Sequence, residues 1–146
     1  MEQLKEVLHK EWTITNLREP TKIVGIEVTC STGSIFISQE RYIEGVLWNE
    51  GMLNMNPVST LMDPNVRLES NPEGNKPNQS NSYAKLLGQL QRIANATCPD
   101  IIYAMNRLGT YTANPSMQHY SALKQILRYL SSIKSLLHAP RQAQCR

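Results

Sequence analysis

The spacing of apolar residues changes period along this chain, and the two periods are separated by a segment that has none. From Lys22 the apolar side chains recur every second residue: Val24, Ile26 and Val28 on one side, a Cys30-Ser31-Thr32-Gly33 turn, then Ile35 and Ile37 alternating with Phe36 and Ser38. Alternation of this kind around a turn predicts a β-hairpin. Upstream, Leu4, Val7, Leu8 and Trp12 stand at helical spacing and predict an amphipathic helix over Glu2–Trp12. Downstream, Ser38 opens a helix with a Tyr42, Ile43, Val46, Leu47 stripe, which Gly51 ends by supplying a left-handed residue. Between about Asn54 and Ser82 the period disappears into Asn, Pro, Ser, Gly and Glu. That stretch is longer than most loops inside a compact domain, and it reads as a linker between two substructures, disordered in part.

Helical spacing returns after the linker. Leu86, Leu87, Leu90, Ile93 and Ala94 predict a helix from Tyr83 to about Ala96, capped by Ser82 or Asn81. A second helix opens at Thr97-Cys98-Pro99-Asp100, with Thr97 as the cap and Asp100 facing the positive end of the dipole. A third opens at Asn114-Pro115 and carries Tyr120, Leu123, Ile126, Leu127, Leu130 and Ile133. The pattern is lost from Ser131 onward. The expected architecture is therefore α+β: helix, hairpin and helix over 1–53, a linker over 54–82, a three-helix bundle over 83–133 and a disordered tail over 134–146.

Charge is divided unevenly along the same axis. Residues 1–75 hold six Lys/Arg against eleven Asp/Glu, a net of −5, whereas residues 76–146 hold nine against Asp100 alone, a net of +8. A half that basic attracts a polyanion, and nucleic acid is the common one, although a solvated helix surface accounts for it equally. Lys85 and Arg92 lie seven apart on the first bundle helix, Lys124 and Arg128 four apart on the third, so each pair shares a face able to meet phosphates; Arg107 can join them. The same residues would also serve simply to solubilise the helices.

Other chemistries find little support. Cys30, Cys98 and Cys145 are odd in number and widely spaced, with no CxxC pair, and His9, His119 and His138 are scattered, so neither disulfides nor a metal centre is expected. No P-loop, GxSxG, HExxH or histidine-anchored triad occurs. Asn95-Ala96-Thr97 and Asn78-Gln79-Ser80 fit the glycosylation pattern by accident, since no signal peptide precedes them. No window approaches 18 consecutive apolar residues. The expectation is an intracellular protein, in cytoplasm or nucleus, without a membrane partner.

Several short motifs, each weak alone, occur in an order that resembles the copia-type retrotransposon reverse transcriptases. They are Ile23-Val24-Gly25-Ile26-Glu27-Val28; Ile35-Phe36-Ile37-Ser38-Gln39-Glu40-Arg41-Tyr42-Ile43; Pro57-Val58-Ser59-Thr60; Tyr83 with Leu86-Leu87-Gly88 and Leu90; Ala94 to Ile101; Ala104 to Leu108; Asn114-Pro115; His119-Tyr120; and Leu123 to Leu130. The resemblance spans roughly Glu2 to Leu130. It implies a piece of the Pol polyprotein of an RNA-directed DNA polymerase, with 1–53 as the end of the palm and 83–133 as the thumb. It also implies that Ile23, Val24 and Gly25 lie where a primer grip would hold the primer, and that template-primer and the rest of Pol are partners. The chain departs from the family at Ile23, Leu61, Cys98 and Tyr120, where an aromatic, a proline, an arginine and a tryptophan are usual.

The parent family polymerises with two Mg2+ ions held by converging aspartates. Here the only aspartates are Asp63 and Asp100, far apart in sequence, and by matching the Asp-Asp element would precede Met1. No cofactor and no catalysis are therefore expected of this segment. A free-standing helical nucleic-acid-binding module and a non-functional transposon remnant remain as alternatives. Self-association through the exposed hairpin is a further expectation.

Overall fold

The computed structural model of the chain describes residues 7–8, 12, 21–31, 34–62, 68–71 and 80–134. The expected tail beyond Lys134, the Thr32-Gly33 turn and much of the linker lie outside those residues. Of the expected first helix, Val7 and Leu8 are helical, and the Trp12 amide donates to the Leu8 carbonyl at 3.0 Å, the i to i−4 bond of an α-helix.

Three antiparallel strands follow in the order β1 (Lys22–Ile23), β2 (Ile26–Ser31) and β3 (Ser34–Ser38). The β2–β3 hairpin is the one the alternation predicts, with Val28 opposite Ile37 and Cys30 opposite Ile35. The strand before it is interrupted. Val24 does not continue the alternation: Ile23 pairs with Ile26, and Val24 and Gly25 form the two-residue turn between them, both with positive φ, +51° and +79°. Two consecutive left-handed residues are what a tight turn matched to strand twist requires. Glycine adopts that conformation freely, whereas β-branched valine does so only under strain.

Helix α1 (Glu40–Asn49) leaves the sheet directly, its Glu40 amide donating to the Ser38 hydroxyl at 3.2 Å. Its C-terminus closes as the glycine predicts. Gly51, at φ +66°, donates to the Trp48 carbonyl, Met52 donates to Leu47 at 2.8 Å, and buried Met52 completes the apolar contact. The later helices are α2 (Ser80–Ala96), a 3-10 turn (Pro99–Ile101) running into α3 (Ile102–Gly109), and α4 (Met117–Ile133). The α+β class holds, with three corrections at the caps. Asn81 and Ser82 do not cap the first helix after the linker, because α2 starts at Ser80 and contains both. Thr97 caps nothing; its hydroxyl donates instead to buried Gln39 Oε1 at 2.8 Å. Nor does Asn114-Pro115 start the last helix. Ser116 is the N-cap, in a reciprocal box with His119, while Asn114 exchanges side-chain hydrogen bonds with Asn71.

The core is built chiefly by helices, with Met52, Leu68 and Cys98 added from the segments between them. Ile43, Val46 and Leu47 of α1 join Tyr83, Leu86, Leu90 and Ile93 of α2, Ala104, Met105 and Leu108 of α3 and Leu123, Ile126, Leu127 and Leu130 of α4 in one buried cluster. Four helices share it, so the helix that follows the hairpin packs with the three that follow the linker. The described linker residues lie against the outer side of α4. Arg128 Nε donates to the Asn56 carbonyl at 2.8 Å, the Ser132 hydroxyl to Val58 at 3.1 Å, and Gln125 to Thr60 at 3.2 Å. Tyr111 ties Leu68 down through its hydroxyl at 2.8 Å. The sheet contributes no residue to the core. Ile23, Ile35 and Ile37 share one of its faces and are 40–49% exposed, while Ile26 and Val28 on the same face are half-buried.

Candidate nucleic-acid interface

Two groups of sequence-nominated residues can be distinguished, and only one of them forms a cluster. Arg92 projects from α2 onto the β1–β2 turn, where its guanidinium donates to the Val24 carbonyl and lies 5.0 Å above the Tyr42 ring. This contact places Arg92 beside Ile23, Val24 and Gly25. The positive φ accounts for the glycine; a Cβ at Gly25 would meet only the far end of the Arg92 side chain, which can shift. With Ile23 half exposed and Val24 79% exposed, the turn presents an apolar tip backed by a fixed cation.

The second group is dispersed among other tasks. Lys124 lies 4.9 Å above the Tyr120 ring, whose hydroxyl donates to Glu50 at 3.0 Å. Burial pushes the Tyr120 hydroxyl above its usual range, and the Glu50 hydrogen bond adds to the rise. Arg128 is half-buried and holds the Asn56 carbonyl, so part of its guanidinium is committed to fastening the linker. Lys85 on α2 and Arg107 in the last turn of α3 are exposed.

Reading the sequence by halves missed the residues that surround Arg92. Lys22, Gly25, Glu27, Gln39, Arg41, Tyr42 and Arg92 line a cavity of about 320 Å³ between the turn, the first turn of α1 and α2. Glu27 pairs with Arg41 Nε at 3.1 Å. Gln39 is 1% exposed, its Oε1 taken by Thr97, and its Nε2 has no hydrogen-bond partner. Lys22 and Arg41 were hidden because they belong to the acidic half, where the net charge obscures a local cluster. The one available signal was Gln39 itself, an amide at a helix N-cap position where a short hydroxyl or carboxylate is the rule.

Among the described residues no group of three His, Cys, Asp or Glu side chains could hold a metal ion. No helix among them is long and apolar enough to cross a membrane.

Comparison with known proteins places this geometry in context. The chain is 36% identical over 124 residues to a retrovirus-related Pol polyprotein from transposon RE1 of Arabidopsis thaliana, covering 85% of this chain and 8% of that protein. It is 31% identical over 135 residues to the retrovirus-related Pol polyprotein from transposon TNT 1-94 of Nicotiana tabacum, covering 88% and 10%. An uncharacterized mitochondrial protein of Arabidopsis thaliana is 32% identical over 107 residues, 73% of this chain and 43% of that one. The chain thus spans about a tenth or less of the Pol relatives it matches. No protein-family model matches it. No solved structure matches it either.

Proposed function

The chain is a homologue of the Pol polyproteins of copia-type retrotransposons, and from that kinship we propose that it is a non-catalytic segment of an RNA-directed DNA polymerase whose work is to hold template-primer. Chemistry belongs elsewhere in such a polyprotein. Asp63 and Asp100 are this chain's only aspartates, and Asp100 stands in the 3-10 turn before α3, away from any strand hairpin. The binding role rests chiefly on one observation, the clamp of Arg92 on an exposed Ile23-Val24-Gly25 tip. It fixes a cation behind an apolar projection that can lie along a duplex end. Lys85, Arg107 and Lys124 are further exposed cations available to phosphates, and Arg128 adds the part of its guanidinium that Asn56 leaves over.

Titration of the whole chain with a fluorescent primed template tests this reading. Each phosphate neutralised contributes about −0.9 to the slope of log K against log salt. A slope of about −3 or steeper, made shallower by Lys85→Glu, Arg107→Glu and Lys124→Glu together, is the expected result. These three side chains are exposed, so the fold survives their replacement. Affinity indifferent to salt and to the three changes would remove the binding role. Primer extension by the purified chain with magnesium and nucleotides would remove the non-catalytic one.

A further inference from the structure

Two apolar surfaces of the folded chain are left exposed, and their shapes match. One is a face of the sheet. The register sets Ile23 beside Ile26, Val28 beside Ile37 and Cys30 beside Ile35, so these pairs make one apolar face, whereas Lys22, Glu27, Thr29 and Ser38 lie on the other. Ile23, Ile35 and Ile37 are 40–49% exposed, and Cys30 is exposed with them. Three neighbouring strands present a surface about 10 Å across, which is the width of one α-helix.

The other surface lies upstream. Val7, Leu8 and Trp12 are 60%, 41% and 70% exposed, and the backbone bond from Trp12 to Leu8 gives them the helical spacing that gathers such residues on one side. The residues between and beside them in sequence are Glu6, His9, Lys10 and Glu11. Monomeric proteins seldom keep apolar patches of this kind in water. Within one folded chain neither surface covers the other, since both remain exposed. A second copy supplies what each lacks: under two-fold symmetry the helix of either copy can cover the sheet of the other, and the contact forms twice. The exposed apolar side chains then contribute on the order of 600 Å² per copy, or about 1,200 Å² in all, the size at which specific interfaces begin.

We propose that the chain forms a two-fold dimer in which the Val7, Leu8 and Trp12 face of each copy seats on the Ile23, Ile35 and Ile37 face of the other. The occupant of the sheet is thus a helix rather than a second sheet, and Trp12, the largest of the three side chains, is its anchor. The arrangement is independent of the template-primer reading, which neither supports it nor falls with it.

Trp12 and Trp48 are the chain's two tryptophans, and Trp48 is 71% exposed on α1, so Trp48→Phe in the full chain leaves Trp12 as the reporter. Sedimentation equilibrium and tryptophan emission of that chain should follow one concentration dependence, the emission moving to shorter wavelength as the dimer forms. Trp12→Glu and Ile37→Ser should each weaken dimerisation at least about tenfold. Mixed together, the two variants should associate more tightly than either does alone, because the mixed dimer keeps one intact contact, the Trp12 helix of one copy on the Ile37 face of the other. Dimers in which Trp12 emits as an exposed indole, or variants that mixing does not rescue, would assign sheet-to-sheet pairing and overturn the arrangement. A monomer at every concentration would overturn it too, whether Trp12 is then in water or folded onto its own sheet. Both replaced side chains are exposed, and the emission readout requires neither replacement, so a misfolded variant would not obscure the answer.

Discussion

His119 shows how much a single side chain can couple to its surroundings. It is fully buried, accepts the Ser116 amide at Nδ1 from 2.8 Å as part of the cap of α4, and stacks on Tyr111 with ring centroids 4.0 Å apart. Burial lowers its pKa from the ordinary 6.5, and the nearby Glu69 carbonyl offsets this only in part, although Nε2 makes no hydrogen bond of normal geometry. Protonation at Nδ1 would also turn an acceptor for the capping amide into a competing donor. Between the lowered native pKa and the unfolded value the unfolded chain binds more protons, so stability is fully present above 6.5 and is lost as pH falls through that window. Urea unfolding followed by helical circular dichroism from about pH 7.5 down to about pH 5 should show this loss. His119→Gln should remove the slope, and an equal slope in the variant would assign it to other groups. The sequence offered little warning of this role. Asn114-Pro115 carries a stronger local signal for a helix start than Ser116 does, but Asn114 is engaged with Asn71, 43 residues away.

The elements differ in how well local pattern anticipates them. Helix stripes and the β2–β3 register follow from periodicities of a few residues, and the end of α1 follows from Gly51. The small β1 strand does not, since Val24 fits the alternation and leaves it only because Gly25 reverses the chain and Arg92, 68 residues on, receives the Val24 carbonyl. The same holds for Gln39 and Thr97, 58 apart. Contacts of that span have no local signature, and for that reason the candidate site was legible only in part: Arg92 and the turn were visible, the cavity between them was not. The sheet is fastened to the helices by polar contacts, Arg92 to Val24 and Arg41 to Glu27, and gives the core nothing. It should therefore open without unfolding the helices, because segments with few buried apolar contacts exchange at low free energy. Amide exchange of β2 and β3 is expected to be faster than that of α2 and α4, and Gly25→Ala, strained by its positive φ, should speed it further. Equal protection of sheet and helices would show that the two form one cooperative unit.

At the scale of the whole molecule, the same kind of residue has opposite weight in the two parts. Leu90 is completely buried between helices, whereas Ile37 is 47% exposed on a sheet that contributes no residue to the core. Deleting a buried leucine side chain costs about 2–5 kcal/mol, a large share of the 5–15 kcal/mol that holds a typical domain together. Leu90→Ala should accordingly lower the helical melting transition by several degrees, and Leu90→Asp should abolish it, since the carboxylate would be buried without a partner. Ile37→Ser should leave that transition within about 0.5 kcal/mol of the parent. What it should change is self-association. An exposed apolar face on a short sheet favours pairing with another chain, and a polar side chain at its centre weakens that pairing. Sedimentation velocity of the two variants beside the parent separates the effects. A fully monomeric parent would show that the sheet face does not drive association, and a large loss of helical stability in Ile37→Ser would mean that the sheet supports the core after all.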